Sequence, residues 1–140
     1  MLDPANKGKE YPSFSFTVEA GKVREFVLAI DDPNPAFLEA GAVVPPTFST
    51  VFTFWSGESI ESYLKELGVE MFNVLHAEQE YEYHAPVHVG DTVIGQTRIA
   101  DIYARTGRSG AMEFIRFDTE FRSPGGDLLL TDHALIIVRG

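Results

Sequence analysis

The spacing of apolar residues changes period twice along the chain, and each change marks an element. Between Ser13 and Val18, Phe14, Phe16 and Val18 alternate with small polar residues, the period of a half-buried strand. Val23, Phe26, Val27 and Ile30 then fall at i, i+3, i+4 and i+7, one face of a helix. That helix ends before Asp31-Asp32-Pro33, because the proline ring disfavours helical geometry in the residue preceding it. Pro45-Pro46 predicts the start of a second helix over Thr47 to Ser56, since proline is tolerated where backbone N–H groups lack intrahelical partners. Phe48, Val51, Phe52 and Trp55 make its stripe and Phe54 adds apolar surface beside it, so this helix is expected to be enclosed by other structure. A third helix, Glu58 to Leu67, carries Ile60, Tyr63, Leu64 and Leu67 and closes at Gly68.

From Val74 onward the period is two. Gln79, Tyr81 and Tyr83 alternate against Glu78, Glu80, Glu82 and His84. Val93 to Tyr103 follows a turn at Val89-Gly90-Asp91, and Met112 to Arg122 sets Ile115, Phe117, Thr119 and Phe121 against charged neighbours. Both read as long antiparallel strands. Ser123-Pro124-Gly125-Gly126-Asp127 is a hairpin signal, and Leu128 to Val138 is apolar enough for a strand inside a sheet. One strand, then helices, then four long strands is an α+β layout whose sheet must bury a face, and the enclosed helix is the natural partner. A curved antiparallel sheet wrapped around one central apolar helix is the hot-dog arrangement.

Composition narrows the function classes. The 140 residues and a 44% hydrophobic share suit one domain, residues 1–140, with a sizeable core. No stretch approaches the roughly 20 apolar residues of a membrane span, and Asp3, Lys7, Lys9 and Glu10 stand where a signal peptide would be apolar, so a soluble cytosolic protein is expected. The absence of cysteine excludes disulfides and thiolate chemistry. A formal charge of −10 argues against nucleic acid and anionic membranes as partners. A phosphate-bearing ligand would then need local cations, for which Arg98, Arg105, Arg108, Arg116 and Arg122 are the candidates. Of these, Arg105 and Arg108 belong to a Gly-rich hairpin tip that either grips phosphate or is a solvated turn. His76, His84 and His88 lack the spacing of a metal site, so no metal and no cofactor is expected. His133 and Asp132 are sequence neighbours and so face opposite sides of their strand.

The run Leu75-His76-Ala77-Glu78-Gln79-Glu80-Tyr81-Glu82-Tyr83-His84-Ala85-Pro86-Val87-His88-Val89-Gly90-Asp91 resembles the central strand and turn of MaoC-like N-terminal dehydratase domains, and the order of elements is similar to theirs over nearly the whole chain. The resemblance implies a hot-dog fold, pairing into double hot dogs, and acyl thioesters of coenzyme A or acyl carrier protein as substrates of a hydratase or dehydratase. The catalytic signature of active members resembles Asp-x-Asn-Pro-x-His, and this chain reads Asp32-Pro33-Asn34-Pro35-Ala36-Phe37, with Phe37 in the histidine position. Asp32 and Asn34 are then either vestiges of the catalytic loop or plain turn residues. Proton transfer needs a group that gains and loses a proton, which phenylalanine cannot do. The family stabilises the thioester oxygen with N–H groups at the start of the central helix; here Pro45 and Pro46 have none, leaving Thr47 and Phe48 as first donors. By this resemblance Pro46, Thr47, Phe48, Phe52, Trp55, Arg105 and Arg108 are the substrate-binding candidates. An aromatic stripe at helical spacing is core far more often than ligand pocket, and tunnel and core can share these side chains.

Three functions remain open on the sequence. One is the non-catalytic, substrate-shaping half of a heterodimer with a catalytic MaoC-like subunit. The others are a homodimer active by itself, as a hydratase or as a thioesterase using Glu58, Glu61 or Asp32, and an acyl-CoA binding module without turnover.

Overall fold

The computed structural model describes residues 2–54, 59–107 and 110–139. Strand β1, Phe14–Thr17, is followed by helix α1, Ala20–Ala29, then by α2, Thr50–Phe54, and α3, Ile60–Glu66. Four long strands complete the chain: β2, Val74–Tyr83; β3, Thr92–Gly107; β4, Gly110–Arg122; and β5, Leu128–Arg139. They form one antiparallel sheet in the order β1-β3-β4-β5-β2. This is the hot-dog arrangement expected from the pattern, with the helices on the concave face. Register irregularities between His76 and Glu78 and between Ile99 and Asp101 bend the sheet, as an unpaired residue in one strand does.

The first helix matches its periodicity. Val23 and Val27 are buried and Phe26 packs against their cluster, while Ile30 is 45% exposed. The central helix differs from expectation at its start: α geometry begins at Thr50 and not at Thr47. Before it, Phe48 N–H donates to the Pro45 carbonyl at 2.9 Å and Val51 N–H to the Phe48 carbonyl at 2.9 Å, bonds spanning three residues. Two prolines without N–H groups leave the first turn to close in this tighter form. Enclosure is also partial. Phe48 and Phe52 are fully buried, yet Phe54 is 72% exposed. In α3, Ser59 is the N-cap, bonded reciprocally with Ser62, and Gly68 at φ 74° follows the last turn.

Two clusters of side chains fill the concave side. One gathers Phe14, Val23, Val27, Phe48, Phe52, Phe121 and Leu130; the other gathers Leu2, Tyr11, Tyr63, Leu64, Ile99, Ile115 and Phe117. The charged N-terminal stretch is part of the second. It runs beside β3, with Gly8 N–H donating to the Ile99 carbonyl at 2.8 Å and Tyr11 N–H to that of Thr97 at 2.9 Å, which stacks Tyr11 on Tyr63 at 3.7 Å between centroids. Burial pushes the Tyr11 phenol up to about 12, with the Glu66 and Tyr63 charges adding to it.

Gly95 pairs with Phe14 across β1 and β3, and a Cβ on it would stand within 3.0 Å of the Phe14 ring. Gly95→Ala is therefore expected to cost about 1–3 kcal/mol by overpacking. Urea unfolding of Gly95→Ala, Phe14→Leu and the double variant checks this. A double variant that recovers part of the loss fits steric conflict, and strict additivity refutes it.

Candidate functional site

The loop at 32–37, set beside the catalytic signature above and departing from it at Phe37, is closed on itself. The Asp32 carboxylate accepts from Asn34 N–H at 2.9 Å, and the Asn34 side-chain oxygen accepts from Ala36 N–H at 3.1 Å, capping a short 3-10 turn at Pro35–Leu38. These are the local bonds that make Asp and Asn turn residues. Phe37 is half-buried and packs against the first core cluster.

At the start of the central helix, Phe48 N–H is already bonded to Pro45. Thr47 is exposed, and its N–H finds no acceptor among the described residues. The Pro46 carbonyl accepts from the Tyr83 hydroxyl at 2.9 Å, which ties β2 to the diproline turn. Phe48 and Phe52 meet Phe26, Phe16 and Phe121 edge-on or tilted inside the core. Arg105 lies over the rings of Tyr103 and Phe114, at 5.2 and 5.9 Å from their centroids. Trp55, Glu58 and Arg108 lie outside the described residues.

The structure opens a different space beside them, a cavity of about 310 Å³ between α2 and α3 on one side and β2 and β5 on the other. Its helix wall is Thr50, Thr53 and Phe54, the face turned away from the aromatic stripe. Leu64, Val74 and Ile136 make much of the remainder, and Glu61 and His76 also reach it. Asp132, only 6% exposed, forms part of the sheet wall, and Gln79 donates a hydrogen bond to its carboxylate. Burial pushes the Asp132 carboxyl up to about 7; the Gln79 hydrogen bond and neighbouring His133 oppose that rise, and the Asp118 charge reinforces it. Tyr81 and Tyr83, on the same face of β2, are raised above their ordinary values by burial, against hydrogen bonds from the buried Ser49 and, for Tyr81, Thr50. An apolar cavity with a few convergent polar groups and one perturbed carboxyl is the usual form of a ligand site.

Asp132 was open to a period-two reading of β5. Leu130, Asp132, Ala134 and Ile136 share the buried face, so a carboxylate in that series is the exception. Gln79, Thr50 and Thr53 carry no such signal, because only the approach of helix to sheet gives them a common space. On the outer face His133 Nδ1 lies 2.7 Å from Asp118 Oδ1, and Arg98 donates to Asp118 Oδ2 at 2.9 Å, a chain across three strands. His76 and His84 are bonded to the Glu78 carbonyl and the Thr131 hydroxyl, and His88 lies 3.6 Å from Asp91. Among the described residues no three metal-binding side chains converge, and no helix is long and apolar enough to cross a membrane.

Residues 5–131 match the sequence family described as FAS1-like, dehydratase domain region. A UPF0336 protein of Thermobifida fusca is 31% identical over 135 residues, covering 89% of this chain and 85% of that protein. Among solved structures, a MaoC-like dehydratase superposes with a TM-score of 0.81 at 22% identity, covering 96% of this chain and 42% of that one. The HadBC (3R-hydroxyacyl-ACP dehydratase) complex of Mycobacterium tuberculosis superposes with a TM-score of 0.78 at 20% identity, covering 94% of this chain and 96% of its counterpart.

Proposed function

The chain belongs to the FAS1-like dehydratase family, a MaoC-like hot-dog group, and from that premise we propose that it is the substrate-shaping half of an acyl-thioester hydratase or dehydratase whose catalytic Asp and His come from a partner subunit. The observation that carries this is the loop at 32–37. Phe37 occupies the position of the proton carrier and packs, half-buried, against the core, while Asp32 Oδ1 and the Asn34 side-chain oxygen accept from backbone N–H groups. With Asp32 Oδ1 engaged by the Asn34 N–H, the loop offers, at the place where the motif has its imidazole, only a ring that cannot carry a proton. Loss of chemistry with retention of a cavity fits a chain that binds the acyl group and leaves turnover to its partner. The similarity to a subunit of a dehydratase complex supports assembly with a second hot-dog chain.

Hydration of crotonyl-CoA tests the reading. This chain alone should be inactive, and its addition to a MaoC-type subunit bearing the complete motif should raise the rate at least about tenfold, a barrier change of about 1.4 kcal/mol. A mixture no faster than the partner alone ends the proposal.

One observation favours a second reading, in which the chain hydrolyses acyl thioesters unaided. Asp132, with a carboxyl near 7, and Glu61 both reach the cavity, and a carboxylate is the group a hot-dog thioesterase would use. Free thiol released from acyl-CoA by the isolated chain, and lost in Asp132→Asn or Glu61→Gln, would establish it; no release removes it.

A further inference from the structure

Strand β2 is an edge of the sheet over its full ten residues, paired with β5 on one side only. Gln79, Tyr81 and Tyr83 turn toward the helices, which sends Glu78, Glu80 and Glu82 to the outer face, all three exposed. Their cross-strand neighbours on β5 are Leu135, His133 and Thr131. On β5 only His133 can carry positive charge, and it is hydrogen-bonded to Asp118; Lys7 and Arg116 line the same groove as Glu80, and Lys7 is paired with Asp101. None of the three glutamates makes an ion pair among the described residues.

We propose that β2 is a pairing edge selected by charge: it accepts the edge strand of a non-identical hot-dog chain with basic side chains on its outer face, and disfavours a second copy of itself. The proposal rests on the reading of this chain as half of a paired assembly and names the chemistry of its partner. A long edge strand offers unpaired backbone groups to any strand that meets it, so side chains have to decide which strand stays. In a two-fold pairing of identical strands, each copy presents the same face, and outward residues meet outward residues. A register centred on Glu80 sets Glu78 against Glu82 twice and Glu80 against its own copy. Directly opposed like charges are destabilising, and diagonal neighbours at about 7–8 Å remain within one screening length of physiological salt. The formal charge of −10 on each chain adds to the repulsion. Lysine or arginine at the outward positions of a partner strand turns every one of these contacts into attraction.

Sedimentation of the full chain at pH 7.5 and low salt tests this, using the wild type, the triple variant E78K/E80K/E82K, and their equimolar mixture. The mixture should dimerise at least about tenfold more tightly than either protein alone. The neutral triple variant E78Q/E80Q/E82Q should self-associate more than wild type, and added salt should narrow that difference. A wild-type dimer at low salt that is as tight as the mixed pair overturns the proposal, as does a mixture that stays monomeric while each protein is folded. Because the readout is mass and not turnover, a mixed pair that forms while crotonyl-CoA hydration fails removes the hydratase reading and leaves the charge rule standing.

Discussion

Asp132→Asn is expected to make the protein more stable above neutral pH and to leave it unchanged near pH 4. The side chain is 6% exposed in an apolar wall, and burial holds its carboxyl at about 7 against an ordinary 3.8. Between those values the folded chain keeps a proton that the unfolded chain has released. Stability is then full below pH 3.8, declines as pH rises through the window, and is level above about pH 7. At about 1.4 kcal/mol for each pH unit spanned, the cost reaches on the order of 4 kcal/mol, and solvent relaxation will reduce it toward 2. Asparagine stays neutral, matches the protonated acid in shape, and can still pair with Gln79. Urea unfolding from pH 4 to pH 8.5 should show the two proteins diverging by about 2–4 kcal/mol across that range. Parallel profiles would mean that Asp132 titrates as an ordinary carboxylate. A stabilising substitution of this size at a cavity wall would itself support a functional role, since sites retain groups that the fold alone does not favour.

Phe52→Ala should be among the most damaging single substitutions in the central helix, and Phe54→Ala among the mildest. Phe52 is fully buried and touches the rings of Phe16, Phe48 and Phe121 at centroid distances of 5.2, 5.8 and 5.2 Å. Removing it forfeits the transfer energy of the ring and leaves a hole that close-packed neighbours cannot fill, a cost of about 3–5 kcal/mol. That is a large share of the roughly 5–15 kcal/mol that holds a domain folded. Phe54, two residues on and 72% exposed, should change stability by less than about 0.5 kcal/mol. It nonetheless lines the cavity, so ligand binding is where its removal should be felt. Thermal unfolding of the two variants decides the matter, and comparable losses would place the cavity and the core on the same side of the helix.

The split between Phe52 and Phe54 also separates what periodicity reveals from what it cannot. Alternation along β1, β3, β4 and β5 and the i, i+3, i+4 spacing of α1 and α3 were legible because each element buries one face and must repeat with its own period. The diproline announced the central helix but not the three-residue bonds that delay α geometry to Thr50. That position 37 holds a ring unable to carry a proton was equally legible, being a question of residue type at one place.

By itself, then, the chain's order of residues determined the α+β layout, the apolar helix and a phenylalanine, which carries no proton, at position 37. Such features depend on local spacing and side-chain chemistry. Only the tertiary structure decided that Asp132, Gln79, Thr50 and Thr53 share one cavity, that the charged N-terminal stretch lies beside β3, and that β2 is the outer strand with its glutamates facing solvent. These groups come from distant parts of the chain, and no sequence period reports the approach of one backbone segment to another.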